Sequence, residues 1–266
     1  PQSSAERMLG NLRLGWDGAA DRVVVVLNSI DQPALDPLGL TRAQFEENPD
    51  QTAGIALPQD EPGQAFRYNT RKNTRQDQAG ASWIHRFSDA GALRESLLTA
   101  YFGQRSVTQW QSIVDTAQAS PTSPGGVIDF DRDYRGLDGR LVWRWALEGE
   151  RSAQLVAGAS IDTSHEARRG YENFTGEGDD RLLGVTGRLR RDEDNRADSS
   201  SAYAQGEIEL SPRWAATLGV RSGRVEFRSY DHYITEGNPD DSGSLAYRYT
   251  NPVAALQFRA SPQLNV

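Results

Sequence analysis

The chain has 266 residues, a formal net charge of −8 and a mean hydropathy of −0.66, and 37% of its residues are hydrophobic. This acidic balance argues against general nucleic-acid binding, and the lack of cysteine excludes disulfides and thiol chemistry. No stretch of about 18 apolar residues is present, so no transmembrane helix is encoded. Six Trp, nine Tyr and eight Phe are nevertheless too many for a disordered chain. A β-barrel with a wet lumen and a thin lipid-facing band has both properties.

In chain order, the predicted elements are β-strands paired into hairpins. The prediction rests on the alternation of apolar and polar residues that is typical of half-buried strands. In one clear hairpin, Leu141, Trp143 and Trp145 share one face, opposite Arg140 and Arg144. The predicted strands span residues 7–16, 22–31, 66–87, 92–113, 140–147, 153–162, 202–210, 214–230 and 246–260.

One predicted strand departs from this alternation. Leu218 and Val220 share one parity, whereas Val225 and Phe227 further along have the other. An extra residue in one strand of a pair locally disrupts the alternation. The sequence therefore predicts a β-bulge at Ser222-Gly223.

The links between the predicted strands alternate between short turns and long polar loops. The long links cover residues 32–64, 114–125, 170–196 and 232–243. Outer-membrane barrels have tight periplasmic turns and long extracellular loops, and Trp16, Trp83, Phe87 and Trp214 near the short turns suit an interfacial girdle. We therefore expect an all-β fold, an antiparallel transmembrane β-barrel, whose strands exceed the roughly 9–11 residues that cross a bilayer. The competing architecture is a soluble β-sandwich with shorter strands.

The loop segments carry the most distinctive sequence. They include Asp36-Pro37-Leu38-Gly39-Leu40-Thr41, Tyr68-Asn69-Thr70-Arg71-Lys72, Gln109-Trp110-Gln111-Ser112-Ile113, Gly125-Gly126-Val127-Ile128-Asp129, Gly170-Tyr171-Glu172-Asn173-Phe174 and the stretch 230–243. These segments resemble TonB-dependent outer-membrane receptors, and the resemblance runs from about residue 26 to the end. The stretch 230–243 is most similar to the YncD-type subgroup, which is associated with uptake of the redox cofactor pyrroloquinoline quinone.

The resemblance implies a larger protein than this chain. Barrels of the family have 22 strands, of which about nine are predicted here, and they enclose an N-terminal plug domain. We therefore expect residues 1–266 to form a partial barrel domain in the outer membrane of a Gram-negative bacterium, without the plug and the C-terminal strands. The implied partners are a small-molecule ligand (pyrroloquinoline quinone or a metal chelate), outer-membrane lipid, and TonB–ExbB–ExbD acting through the plug. Neither an enzymatic activity nor a cofactor is expected.

Pyrroloquinoline quinone carries three carboxylates on a flat aromatic core. A site for it calls for Arg or Lys with stacking aromatic side chains near the extracellular mouth. The candidates at that end are Arg67, Tyr68, Arg71, Lys72, Arg75, Gln109, Trp110, Gln111, Arg168, Arg169, Tyr171, Asn173, Tyr230, His232 and Tyr233. The alternative is that they are ordinary solvated residues paired with neighbouring Asp and Glu.

Metal motifs are weak in this sequence. The segment 129–133 carries three Asp with a spacing similar to a calcium loop, but Tyr134 and Arg140 stand where an EF-hand needs Gly and Glu. Strand alternation places these carboxylates on one face, which we expect to be lumenal. Asp240-Asp241 in a polar loop is another place for a cation, but no metal site is predicted.

Two other functional classes stay open. A passive porin or adhesin barrel has the same strand pattern, and a plug with a TonB box would exclude it. A carbohydrate-active β enzyme needs two carboxylates fixed about 5–10 Å apart across a cleft, and no motif in the chain calls for that arrangement.

Overall fold

A computed structural model describes residues 2–51, 63–261 and 264–265. Most of these residues form one antiparallel sheet of ten strands, and a separate two-stranded pair lies in the connection that follows its sixth strand. The strands are β1 (Met8–Asp17), β2 (Asp21–Leu35), β3 (Arg71–Arg86), β4 (Leu93–Trp110), β5 (Val127–Ala146), β6 (Ser152–Tyr171), β7 (Phe174–Thr175), β8 (Leu182–Leu183), β9 (Leu189–Ser211), β10 (Trp214–Asp231), β11 (Gly243–Ser261) and β12 (Leu264–Asn265).

The order of strands in the sheet follows the chain. It runs from β1 to β6 and continues from β9 to β12, while β7 and β8 pair only with each other. The longest strands, β5, β6 and β9, have 20, 20 and 23 residues, about twice what a bilayer requires. The expected antiparallel wall of long strands is confirmed. No second sheet packs on it among the residues described, so the β-sandwich alternative does not apply.

Several predicted boundaries were wrong. The predicted strand 66–87 begins only at Arg71, because residues Gln64–Arg67 form a short helix, α2. The predicted strands 140–147, 153–162 and 202–210 are parts of the much longer β5, β6 and β9. The missed halves carry charged residues on both faces, so they lack the apolar alternation on which the prediction relied.

The bulge predicted at Ser222-Gly223 was also wrong. Ser222 pairs with Ala202 and Thr250, and Gly223 pairs with Ser201 and Tyr249, without a shift of register. The register shift in β10 lies instead at its first residues, between Trp214 and Ala215. The apolar residues of β10 therefore change parity for another reason, which lies in the different composition of the two faces of the sheet.

One face of the sheet, here called the outer face, carries a continuous apolar band. On β5 the band runs from Leu137 to Trp145, about 27 Å along the strand at roughly 3.4 Å per residue. This length matches the apolar band of about 25 Å that outer-membrane barrels present to lipid. Residues that line the band through their shared register are Leu12, Leu14, Trp16, Val25, Leu27, Trp83, Leu98, Phe102, Leu141, Trp143, Leu155, Ile161, Leu218 and Val220.

Charged residues replace the band on the outer face towards the far end of the strands. On β10, Ser222, Arg224, Glu226 and Arg228 continue the outward parity of Val220. The apolar pattern of the outer face therefore ends at Val220, and Phe227 lies on the opposite face without an inserted residue.

The opposite face, here called the lumenal face, is polar along most of its height. Ser160 and Ser201 hydrogen-bond across β6 and β9 at 3.0 Å, and Arg221 donates to Ser201 at 2.9 Å. Tyr134 lies over Gly103 of the neighbouring strand, so closely that a Cβ there would stand 2.5 Å from its ring. Such cross-strand cover of glycine by an aromatic ring pins the register.

Short turns and long loops lie at opposite ends of the strands, as expected. The long connections are loop 1 (residues 36–70), loop 2 (111–126), loop 3 (172–188) and loop 4 (232–242). They contain helix α1 (Arg42–Glu47), which has a capping box from Thr41, helix α2, and the 3-10 helices Asp115–Ala119 and Gly178–Asp180. None of the helices in the described ranges is long and apolar enough to cross a membrane.

Burial is concentrated in the loops rather than in the sheet. Ala65, Thr70, Gln118 and Asn173 are fully buried, whereas Leu218 in the apolar band is 67% exposed. A single open sheet cannot bury either face against itself. The packed interior of the described chain therefore lies where the loops meet.

Candidate functional site

Loops 2 and 3 are joined by a buried pair of amide side chains. Asn173 donates through Nδ2 to the carbonyls of Gln111 at 2.8 Å and Ile113 at 2.9 Å. Its Oδ1 accepts from Gln118 Nε2 at 2.7 Å, and its N–H donates to Gln118 Oε1 at 3.3 Å. Gly126 allows this approach, because a Cβ there would stand 2.5 Å from Nδ2.

A buried carboxylate holds the base of loop 3. Glu172 accepts from Arg188 at 3.0 and 2.8 Å and from Arg190 at 3.0 Å. Arg190 also donates to the carbonyl of Ser120 in loop 2 at 2.5 Å. Burial acts to raise the pKa of Glu172, but the hydrogen bonds and charges of the two arginines outweigh it and lower that pKa below its ordinary value of 4.5.

Loop 1 contacts loops 2 and 3 through aromatic side chains. Tyr68 is 3% exposed, and burial raises its pKa. The Arg71 guanidinium stacks 3.6 Å over the Trp110 ring and donates to the carbonyl of Gly184 at 3.1 Å. The Trp110 indole donates to Thr186 at 3.2 Å. We call the assembly of loops 1, 2 and 3 the loop cluster.

Loop 4 is attached at the side of this cluster. The His232 N–H donates to the carbonyl of Asp192 at 2.8 Å, and its ring lies 3.0 Å from the Asp194 carboxylate on β9. A Cβ on Gly237 would stand 3.0 Å from Pro121 of loop 2. All four loops therefore meet at one end of the sheet.

The predicted ligand-binding residues divide among three locations. Arg71, Arg75, Trp110, Arg169, Tyr171, Tyr230 and His232 lie on the outer face or at its upper edge, where Arg75 pairs with Asp31 at 2.7 Å and Arg169 with Asp192 at 3.4 Å. Arg67, Tyr68, Gln111, Asn173 and Tyr233 belong to the loops. Only Lys72, Gln109 and Arg168 lie on the lumenal face.

Asn173 and Tyr68 are packed inside the loop cluster and are not exposed to a ligand in this structure. Each is buried among loop segments, and all the polar atoms of the Asn173 amide already have protein partners. They therefore contribute to the packing of the loop cluster.

The expectation that segment 129–133 faces the lumen was wrong. Its three Asp share the parity of Leu137 and Leu141, so they lie on the outer face above the apolar band. Asp129 accepts a hydrogen bond from Thr108 at 3.0 Å, and Asp133 lies 3.5 Å from His165. The prediction failed because it did not follow the strand parity down to the apolar band.

The lumenal face carries charged residues that the sequence-based selection missed. Arg105 and Arg132 face each other across β4 and β5, and Arg132 is held by two hydrogen bonds to Glu166 of β6. Phe130 lies next to them, with its ring centroid 5.3 Å from the Arg132 guanidinium carbon. Counting alternate residues from Leu98 on β4, from Leu141 on β5 and from Ile161 on β6 would have placed all four on the lumenal face.

Family comparison agrees with this architecture. Residues 22–266 match the model of the family described as TonB dependent receptor-like, beta-barrel. The chain belongs to this family. Its members are transport receptors of the outer membrane, not enzymes.

Solved receptors share the fold at low sequence identity. The unliganded ferric citrate transporter FecA matches with a TM-score of 0.73 at 15% identity, over 99% of this chain and 35% of FecA. The open form of the ferric-catecholate receptor Fiu from E. coli K12 matches with 0.69 at 11%, over 99% and 46%. The ferric yersiniabactin receptor FyuA from Yersinia pestis matches with 0.67 at 14%, over 97% and 36%. The chain thus spans about a third to a half of these receptors.

Proposed function

We propose that this chain is one wall of an outer-membrane receptor that imports a scarce solute by TonB-dependent, energy-coupled transport. The observation that carries the proposal is the division of the sheet into a lipid-facing apolar band and a polar lumenal face, topped by a packed loop cluster. Family membership supports the same reading. The loops and upper lumen would capture the solute, since function concentrates in loops on a rigid scaffold.

The rest of the receptor would complete the transport cycle. We propose that a plug domain outside this chain fills the barrel and couples release of the solute to TonB–ExbB–ExbD. The shares of FecA and Fiu that the chain covers leave room for such a domain and for further strands.

The narrower proposal for the solute is pyrroloquinoline quinone. It is supported by the resemblance of the stretch 230–243 to the YncD-type subgroup and by the lumenal cations Lys72, Arg105 and Arg168. Guanidinium groups bind carboxylates in a bidentate manner. The alternative is a ferric siderophore or another metal chelate, which the names of FecA, Fiu and FyuA favour.

Equilibrium binding to the full-length receptor distinguishes these solutes. We expect pyrroloquinoline quinone to bind with submicromolar affinity and to be taken up only in cells with TonB and a proton-motive force. Tight binding of ferric citrate or a ferric catecholate without binding of the quinone would contradict the narrower proposal. Uptake that persists without TonB would indicate a passive porin.

A further inference from the structure

We infer that the lumenal face of β3–β6 contains an anion-binding site centred on Arg105 and Arg132. The site takes a compact small molecule that carries two or more carboxylates. This inference rests on the proposed import function and adds the chemical class of the solute.

The centre of the site is a pair of like charges. Arg105 and Arg132 occupy directly opposite positions on β4 and β5, an arrangement that destabilises a sheet when nothing neutralises it. Glu166, whose side chain is 12% exposed, accepts from Nε and Nη2 of Arg132. Glu166 therefore binds one of the two guanidinium groups, that of Arg132.

Arg105 has no partner of its own. Among the residues that the structure describes, none hydrogen-bonds or pairs with its guanidinium, and its Nε is buried without an acceptor. A buried donor without an acceptor is costly. A ligand carboxylate at this position would accept from Arg105 and relieve the repulsion between the two arginines.

Two further cations extend the site. Lys72 of β3 and Arg168 of β6 lie on the same face, and neither has an ion-pair partner in the described part of the chain. Glu193, which is opposite Arg168, is occupied by Arg191 at 2.9 Å. From β3 to β6 the patch is about 14 Å wide at roughly 4.8 Å per strand.

An aromatic ring lies within this group of cations. Phe130 shares the lumenal face and is next to Val107, which is 3% exposed. A flat ligand with carboxylates at its rim could place its ring against Phe130 while Arg105, Lys72 and Arg168 bind the rim.

The level of the patch suits a solute that enters from the loops. The apolar band reaches Phe102 of β4, which pairs with Arg135, and Arg132 lies three residues further towards the loops, about 10 Å along the strand at roughly 3.4 Å per residue. The cations therefore lie above the membrane, towards the loop cluster. The competing occupant is an acidic segment of another domain of the same receptor.

The matched control for this site is Arg135. It lies three residues after Arg132 on β5, has no ion-pair partner within the described ranges, as is the case for Arg105, and faces outward. Each of the variants Arg105→Gln, Arg132→Gln and Arg135→Gln removes one positive charge. The first two remove it from the lumenal face, and the third removes it from the outer face nearby. Arg105→Lys keeps the positive charge but removes the planar guanidinium that binds a carboxylate through two parallel hydrogen bonds.

The test measures binding of benzene-1,2,4,5-tetracarboxylate to the full-length receptor in detergent by titration calorimetry at low salt. We expect Arg105→Gln and Arg132→Gln to weaken binding by about 10- to 100-fold, the range for one charge-assisted hydrogen bond. Arg105→Lys should lie between them and the wild type, and Arg135→Gln should bind like the wild type. Heat-modifiable mobility on gels shows that each variant is folded.

Three outcomes would overturn the inference: no binding by the wild type, equal binding by wild type and Arg105→Gln, or equal weakening by Arg135→Gln. A lower unfolding temperature of Arg105→Gln with unchanged binding would assign the arginines to a domain contact instead. The proposed function has a separate readout. If the tetracarboxylate binds through Arg105 but no TonB-dependent import occurs, the anion site stands and the transport proposal fails.

Discussion

The loop cluster and the ten-stranded sheet, here called the strand wall, differ in how their side chains are buried. In the cluster, Gln118 and Asn173 are fully buried, and their amides bond to each other and to backbone carbonyls. In the wall, backbone pairing is continuous, but Leu218 and Phe102 are 67% and 64% exposed. Among the residues described, the wall therefore leaves its apolar band uncovered, whereas the cluster carries its own interior.

The largest loss of stability is expected from a substitution in the apolar band of the wall. Leu218→Arg places a charge in the apolar band and should cost about 2–4 kcal/mol of stability in a bilayer, with the upper value near the midplane. Thr217→Arg, the adjacent position that faces the lumen, should be close to neutral. Urea unfolding of the receptor in lipid vesicles measures both. Equal destabilisation would contradict the assignment of the two faces.

A second substitution attacks the interior of the cluster. Asn173→Ala removes three side-chain hydrogen bonds and leaves the buried Nε2 of Gln118 with only the Ile113 carbonyl as an acceptor, which should cost about 2–3 kcal/mol. Hydrogen exchange should accelerate in loops 2 and 3 but not in β5 and β6. The control is Asn11→Ala on the wall, where an exposed amide bonds to Asn28. Faster exchange throughout the sheet would show that the cluster is not independent.

The third prediction concerns acid. Because the pKa of Glu172 is lowered in the folded state, its contribution is complete above pH 4.5 and is lost as the pH falls through the folded value. Limited proteolysis should therefore cut loop 3 faster below pH 4.5. Glu172→Gln should abolish this dependence and cost roughly 1–2 kcal/mol, since Arg188 is 80% exposed and screened.

Glu46→Gln is the control for this acid effect. Glu46 forms an exposed pair with Arg42 at 2.7 Å on helix α1, so its loss should leave the acid sensitivity of loop 3 unchanged. Acid-induced cleavage that persists in Glu172→Gln would assign the effect to another group.

The smallest effect is expected where the cluster meets the wall. Arg71→Gln removes the stacking on Trp110 and the hydrogen bond to Gly184, which should cost about 0.5–1 kcal/mol. Arg75→Gln breaks only the exposed pair with Asp31 and should cost less. Thermal unfolding of loop 1, followed by Trp110 fluorescence, compares the two variants. A larger loss of stability in Arg75→Gln than in Arg71→Gln would show that Arg71 does not join the cluster to the wall.

Much of the wall could be predicted from the sequence, because the apolar band imposes a period of two on every strand. Leu141, Trp143 and Trp145 identified both the strand and its lipid-facing side. The upper halves of β5, β6 and β9 could not be predicted in this way, since both of their faces are wet and charged. The apparent bulge at Ser222-Gly223 has the same origin, because the solvent changes there rather than the register.

The binding surface was less accessible to prediction than the fold. Selecting Arg, Tyr and Trp near the loops mixed residues of both faces, such as Arg75 on the outer face and Arg168 on the lumenal face. The burial of Asn173 depends on segments more than fifty residues apart that meet only in the folded cluster. Strand parity was the signal that could have found Arg105 and Arg132.

Lys72 gives the lumenal face a single site for amine-directed labelling within this chain. It is the single lysine of the 266 residues, and it lies exposed on the lumenal face opposite Gln109. An amine-reactive fluorophore would therefore attach, within this chain, at one side chain at the edge of the cationic patch. Because the attached dye removes the charge of Lys72, slower labelling of this chain in the presence of an anion would report occupancy of the patch.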